Sequence, residues 1–591
     1  MTGELNRRDF LGAAGTAALA LPFTGTLRAQ DVPMGMPPEW YNPPVEFSQA
    51  PFWFWNDDLS EKELLRQIED FRAHGVHAFL IHPRAGLPRS IGWMSDRMID
   101  LMRFTIERAA ERDMWVILYD EGMYPSGSSS GQVVAENPAF RTRGLVCIDL
   151  DEATPGTEVQ GVRIDAEGRP DLAADQTLVA LTRRKSNGHR LAIVDRPARE
   201  GRSTIRGLHF VQDDPPRRAD RREVPENQPP GADILNPESV ACFIRLVYQR
   251  FYDEFGDRFG KTVKAIFTDE PSLLARGAER GMVPGTTGIL EHINRFLGHD
   301  FTEHLPTLWY ADEPDAERRR RDYSRAIQAR LEETFYRPIS EWCGAHGVAL
   351  TGHPMAPDDI GHLRHFHIPG PRIDERPPDV GPNSPWWAQF KPFAQATSRL
   401  CWLNTDGVHV CSLAILGTND YLPWRAAKVC FQHQRDFNYL EARHLWEDAR
   451  IDSEGIHLAG MHYLALIVED DPPSQANNAM DVMAQAGRLI CWKEVTEPTE
   501  FVDAIDRLIP PDIEVSPETP DLRVRHMRKQ DTDYYMLFNE GEGNLNVRLR
   551  LLAKGRRTLL DPTTGSQRSV TGDEPLSLAR HAMRVLAVQQ H

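Results

Sequence analysis

Pro51-Phe52-Trp53-Phe54-Trp55-Asn56-Asp57 is a short apolar run that breaks abruptly into polar residues. The pattern returns at Val76 to Arg84, Met114 to Glu121, Val263 to Pro271 and Val348 to Pro354. Between these runs lie long amphipathic segments. Ser60 with Glu63 forms a helix-start signal, Leu64, Ile68 and Phe71 keep one face, and Gly75 stops the helix. Met98, Met102, Ile106 and Ala109 stripe the next one. Asn236-Pro237 opens a third, with Val240, Phe243, Val247 and Phe251 at helical spacing, and Ile327, Leu331, Phe335, Ile339 and Trp342 mark a fourth. Short apolar runs alternating with crossover-length helices predict parallel β/α units, and five in succession favour a TIM-like (β/α) barrel over a doubly wound sheet.

The texture changes in three places. From about 141 to 235 short alternating runs, Leu145 to Leu150, Thr177 to Thr182 and Leu191 to Asp195, predict a small antiparallel insertion closed by a loop over Pro215 to Pro230. The arginines of that loop, Arg217, Arg218, Arg221 and Arg222, read as a solvated, charge-interleaved surface before they read as an anion site. Residues 407–512 read as a flavodoxin-like α/β domain: strand Val408 to Leu416, helix around Trp424 to Asn438, strand Tyr463 to Val468, helix Ala476 to Gly487 and strand Leu489 to Trp492. It has no G-x-G-x-x-G, so no dinucleotide is expected. Residues 513–591 are strand-like throughout and predict a β-sandwich. The barrel therefore occupies 31–406.

With 591 residues, 41% apolar and 26% charged, the chain has the composition of a folded protein of several units. Its 86 acidic residues outnumber 68 basic ones, and a net charge of −18 argues against nucleic acid as a partner. Seven scattered cysteines show no C-x-x-C and no zinc spacing. Residues 1–30 carry Arg7-Arg8 ahead of the apolar run Leu11 to Phe23 and small residues near Ala29, which resembles a twin-arginine signal. The expectation is export to the periplasm or beyond, with no membrane insertion once the signal is removed; homo-oligomer formation is left open.

Chemistry is expected at the C-terminal ends of the barrel strands, where the loops converge. Those ends are polar: Trp55-Asn56-Asp57, His82-Pro83-Arg84, Tyr119-Asp120-Glu121 with Tyr124, Thr268-Asp269-Glu270 and Gly352-His353. Carboxylates on adjacent strand ends flanked by aromatic rings suit acid and base work on a sugar, while Asp120 alone reads equally as a loop residue or helix cap and Glu270 less so. His82 and His353 lack a partner at metal-ligand spacing, so contacts to a hydroxyl or carboxylate are the better reading than metal ligation. Trp386-Trp387 reads as core before sugar platform. The Ser126-Gly127-Ser128-Ser129-Ser130-Gly131 loop lacks a P-loop lysine and reads as a place where backbone approaches a ligand.

These same segments, together with Pro125-Ser126-Gly127, His367-Ile368-Pro369-Gly370 and Lys391-Pro392-Phe393, resemble glycoside hydrolase family 106, the α-L-rhamnosidases, over most of residues 45–590. The middle unit resembles the trimerisation domain of β-galactosidases. The resemblance implies hydrolysis of terminal sugars from oligo- or polysaccharides, an inverting mechanism, a glutamate general acid matched by Glu270, and calcium near the substrate with unidentified ligands. From their strand-end positions Trp55, Asn56, Asp57, His82, Arg84, Asp120, Tyr124, Asp269 and His353 are expected around the substrate. One departure stands out. Only Pro371 to Pro385 lies where that family has two further β/α units, each needing at least about a dozen residues for its crossover. The expectation is a shortened barrel, with Glu121 as catalytic base and Asp120 as the other candidate. The alternatives are a sugar-binding relative that has lost the base, and a metal-dependent hydrolase or lyase using His82 and His353.

Overall fold

The computed structural model describes residues 35–209, 228–356, 358–369, 381–382, 384–418, 421–492, 497–571 and 574–589. The twin-arginine segment, most of the arginine-rich loop and residues 370–380 lie outside them.

Five apolar runs form strands where the sequence placed them: β1 (Phe52–Trp55), β2 (Ala78–Pro83), β3 (Trp115–Tyr119), β4 (Val263–Asp269) and β5 (Ala349–His353), joined by a two-residue β6 (Ile368–Pro369). They pair in parallel in the order 1-2-3-4-5-6. This sequential order, without the reversal of a doubly wound sheet, is that of a TIM-like domain. Among the described residues β1 pairs only with β2 and β6 only with β5.

The helical layer covers the outer face. Helix α1 (Glu61–Ala73) starts where the Ser60 hydroxyl accepts the Glu63 N–H at 3.2 Å. Its buried Leu64, Ile68 and Phe71 meet Phe79 and Ile81 of β2 in one large core. Helix α2 (Asp96–Ala110) is capped in the same way by Ser95. Helix α3 (237–255) follows the Asn236 cap, and α4 (316–345) packs behind β5. Helix α5 (Phe390–Asn404) sends Phe390 and Ala394 into this core, and just before it the indole of Trp387 donates to Asp70 of α1 at 3.1 Å and stacks on His74. Trp387 is thus core, whereas Trp386 is 61% exposed.

Between β3 and β4 the insertion folds as an antiparallel sheet of Thr177–Arg183, Arg190–Pro197, Arg143–Asp149 and Val283–Pro284. The next unit is a parallel sheet ordered Asn438–Glu441, Leu413–Gly417, Ala465–Val468 and Leu489–Cys491, with helices Arg425–Gln432, Asn477–Gln485 and Pro498–Leu508 against it. Two expectations shift here. The helix ends at Gln432, short of the expected Asn438, Gln434 adopts φ 53°, and Asn438–Glu441 forms a strand the sequence reading did not place. Val408–His409 pairs instead with Leu522–Lys529 of the C-terminal unit. That unit has a six-stranded and a three-stranded antiparallel sheet sharing a core that includes Leu522, Tyr535, Leu549, Leu578 and Val588.

Candidate active site

The strand-end cluster is built around β4. Glu270 follows its last residue with φ 44°, a left-handed backbone that a β-carbon normally disfavours. Its N–H donates to the carbonyl oxygen of His353 at 3.2 Å. Beside it Gly352 has φ 144°, and a β-carbon there would stand 1.9 Å from the Thr268 carbonyl oxygen, so only glycine lets β4 and β5 approach this closely. The Tyr124 hydroxyl donates to Glu270 Oε2 at 2.5 Å. His353 Nδ1 lies 3.0 Å from Asp269 Oδ1 and 4.0 Å from Glu270 Oε1. The Tyr119 hydroxyl donates to Asp269 Oδ2 at 2.7 Å, fixing the second oxygen of that carboxylate.

Around these groups the inward-facing side chains form an aromatic wall. His82 stacks on Tyr119 with centroids 3.7 Å apart and sends Nδ1 to the Pro83 carbonyl oxygen at 2.9 Å. Burial, reinforced by the Arg84 charge, pushes its pKa down to about 3, so at neutral pH the ring is uncharged, with Nδ1–H donating to Pro83 and Nε2 left as an acceptor. Phe52 meets His82, Phe267 and His353 edge-on, and Phe54 lies between His82 and the Arg84 guanidinium, which sits 4.6 Å from its centroid. These two phenylalanines are 38% and 42% exposed. They carry exposed apolar surface beside His82 and His353, a role the sequence reading gave to Trp55.

Trp55 points the other way. With Trp53 it enters the core against the helical layer, 1% exposed. The alternation along β1 was legible, but both alternating sets are aromatic, and the bulkier indoles take the larger outer space. Asn56 and Asp57 are exposed in the loop after β1, where Asp57 caps the Asp58 N–H at 2.8 Å.

Asp120 and Glu121 are fully buried behind the strand ends. Asp120 accepts from Ser126 Oγ at 2.5 Å and from the Tyr248 hydroxyl at 2.7 Å. Ser126 Oγ in turn accepts the Asp269 N–H, so this carboxyl braces β4 from behind. Burial pushes it up to about 8 despite these donors. Glu121 accepts the N–H groups of Gly122, Ser128 and Ser129 at 2.8–2.9 Å and that of Ser130. Burial pushes it up to about 7 against their downward pull. Ser129 and Ser130 are both left-handed, which turns their N–H groups inward, while the N–H of left-handed Gly131 donates to the Ser128 carbonyl oxygen at 3.0 Å. The Ser- and Gly-rich loop therefore wraps a carboxylate of its own chain in place of a ligand.

Of the residues expected to meet, His82, Arg84, Tyr124, Asp269, Glu270 and His353 come together, while Trp55, Asp120 and Glu121 face away. No protein-family model matches the chain, and no curated protein does so in sequence. Among solved structures, a rhamnosidase from Novosphingobium sp. PP1Y is similar in fold, with a TM-score of 0.62 at 12% identity over 93% of this chain and 83% of that one. The chain shares the fold of that structure. A β-galactosidase from Bacillus circulans sp. alkalophilus is also similar, with a TM-score of 0.48 and 9% identity over 91% of this chain and 98% of that one. Gan42B, a GH42 β-galactosidase, has the same score and identity over 92% and 99%.

The implied calcium meets a donor set that does not suit it. Two groups among the described residues bring three potential ligands together: Asp269, Glu270 and His353, and, in the insertion, Asp149, Glu152 and His189. Calcium takes six to eight oxygen ligands, whereas each group offers an imidazole nitrogen and two carboxylates. In the first, both Asp269 oxygens and Glu270 Oε2 already accept hydrogen bonds or contact His353.

Proposed function

We propose that the chain is an exported glycoside hydrolase of α-L-rhamnosidase type, removing terminal sugars from oligo- or polysaccharides with Glu270 as general acid. The observation that carries this reading is the strained Glu270, held at the end of β4 by backbone from β5 and by Tyr124, since backbone strain of this kind concentrates at functional sites. A protonated Glu270 would hand its proton to the glycosidic oxygen as the bond breaks. Tyr124 orients the carboxyl through Oε2. His353, its Nδ1 set against Asp269, keeps Nε2 for a sugar hydroxyl, and Phe52 and Phe54 offer an apolar face to the pyranose ring. Export rests on the twin-arginine motif, and no helix among the described residues is long and apolar enough to cross a membrane.

A second reading, a sugar-binding relative without turnover, is favoured by the burial of both candidate bases. An inverting hydrolase needs a second carboxylate roughly 6.5–9.5 Å from its acid. Asp120 and Glu121 are instead committed to hydroxyl and backbone N–H donors. The two readings separate when purified protein is given p-nitrophenyl α-L-rhamnoside and rhamnosyl oligosaccharides. Turnover that Glu270→Gln abolishes while sugar binding persists supports the hydrolase. Binding with no turnover by the unaltered chain supports the second reading.

A further inference from the structure

A groove of about 1130 Å³ runs between the insertion and the loop that follows Glu121, and it takes no part in the cluster around Glu270. We infer that it binds the continuation of a neutral, hydroxyl-rich oligosaccharide whose terminal sugar sits at Glu270; this rests on reading that cluster as a sugar site. The first argument is connection. Met123–Tyr124 pairs with Arg206–Gly207, and Tyr124 lies directly opposite Arg206. Thr204 and Leu208, two residues to either side of Arg206, line the groove, about 7 Å away along extended backbone. The Leu208 N–H donates to Ser130 Oγ at 2.9 Å, and the Trp93 indole donates to Ser129 Oγ at 2.9 Å. The groove and the Tyr124–Glu270 pair are thereby fastened to one loop.

The second argument is chemistry. The volume exceeds the upper range of about 1,000 Å³ for a compact small-molecule pocket. Its polar lining mixes guanidinium groups (Arg141, Arg202) with carboxylates (Asp175, Glu200) and amides (Gln132, Gln176). Donors and acceptors of both charges match neutral sugar hydroxyls, which donate and accept, better than they match a phosphate or a run of uronates, whose repeated anionic groups would call for an excess of cationic donors. Arg196 and Arg199 also line it but are tied to the buried Glu279 at 2.7 Å each, which fixes that wall. Trp93 and Pro229 line its floor but are themselves buried, so the recognition surface is mainly polar. Thr204 is 3% exposed, and its hydroxyl has no hydrogen-bond partner among the described residues.

The test uses the full chain carrying Glu270→Gln, so that ligands stay intact, and titration calorimetry with methyl α-L-rhamnoside and neutral rhamnosyl-terminated oligosaccharides of two to five units. Affinity is expected to rise by at least about tenfold from the monosaccharide to the longest oligosaccharide, as the gain of hydrogen bonds to charged groups implies. In Arg141→Ala/Arg202→Ala, checked for an unchanged melting midpoint, the ratio of long to short affinity is expected to fall towards one. Length-independent affinity, or none, overturns the inference without any variant. A uronate oligomer binding far more tightly than a neutral one of equal length overturns the assignment of neutral sugars. Failure of the hydrolase reading shows differently, as absent turnover by the unaltered chain while length-dependent binding persists.

Discussion

Replacing Glu121 by alanine distinguishes a carboxylate that builds a loop from one that activates water. Four backbone N–H groups, from Gly122, Ser128, Ser129 and Ser130, converge on it with no solvent contact. Each buried donor left unmatched costs roughly 1–3 kcal/mol, so the four together cost roughly 4–12 kcal/mol before any water enters to offset part of it. The left-handed backbone of Ser129 and Ser130 adds roughly 1–2 kcal/mol each that the carboxylate holds in place. A local loss of at least about 4 kcal/mol exceeds what a loop can absorb while staying folded. The expected result is fast amide hydrogen exchange at 128–130, a lowered thermal midpoint, and loss of hydrolysis through displacement of Ser126 and Tyr124. External azide should not restore turnover, because an anion cannot rebuild the loop. Unchanged exchange protection together with azide-restored turnover would refute this reasoning and make Glu121 the base.

Tyr124→Phe removes the donor to Glu270 Oε2, and kcat on p-nitrophenyl α-L-rhamnoside should fall about 2- to 10-fold with KM little changed; an unaltered kcat would remove Tyr124 from the positioning of the acid. Phe54→Ala trims an exposed ring, so the melting midpoint should hold while KM rises several-fold, and equal KM would mean that sugar does not rest on that wall. Asp120 has a carboxyl raised from 3.8 to about 8. The folded state therefore holds a proton that the unfolded state gives up first, and this group's contribution to stability declines as pH rises from about 4 to 8. Asp120→Asn mimics the protonated form, and urea midpoints measured at pH 4, 6 and 8 should decline less for the variant than for the unaltered chain.

The barrel-like sheet was legible because its signals are redundant. Each strand is an apolar run bounded by an amphipathic helix, and three of those helices are capped where expected, Ser60, Ser95 and Asn236 accepting the N–H groups. Even so, Glu63 gives its carboxylate to Arg66 and Gln67, so only half of the capping box forms as read. The strand Asn438–Glu441 was not legible. Phe437, Tyr439 and Leu440 prolong the apolar content of the preceding helix without a Gly or Pro to mark the break, and the chain turns instead through Gln434 in a left-handed conformation.

The site was half legible, and the half that was missed follows from two rules that sequence alone does not fix. A strand's period of two states which residues share a face but not which face lies inward. On β1 the choice between Phe52/Phe54 and Trp53/Trp55 is made by volume: the indoles pack on Phe71 and Phe79, an outer space built by α1 and β2. Adjacent carboxylates at a strand end pose the same question, and there the answer comes from the loop that follows. Asp120-Glu121 runs into Ser126 to Gly131, small residues able to take left-handed backbone and point successive N–H groups at one oxygen pair, so both carboxylates are drawn backwards into hydrogen-bonded burial. Asp269-Glu270 runs into Pro271-Ser272, which offers no such cradle, and its partners are side chains and backbone from neighbouring strand ends. A carboxylate at a barrel strand end is thus available to substrate when the downstream loop cannot satisfy it, and by that criterion Glu270 is the acid to test first.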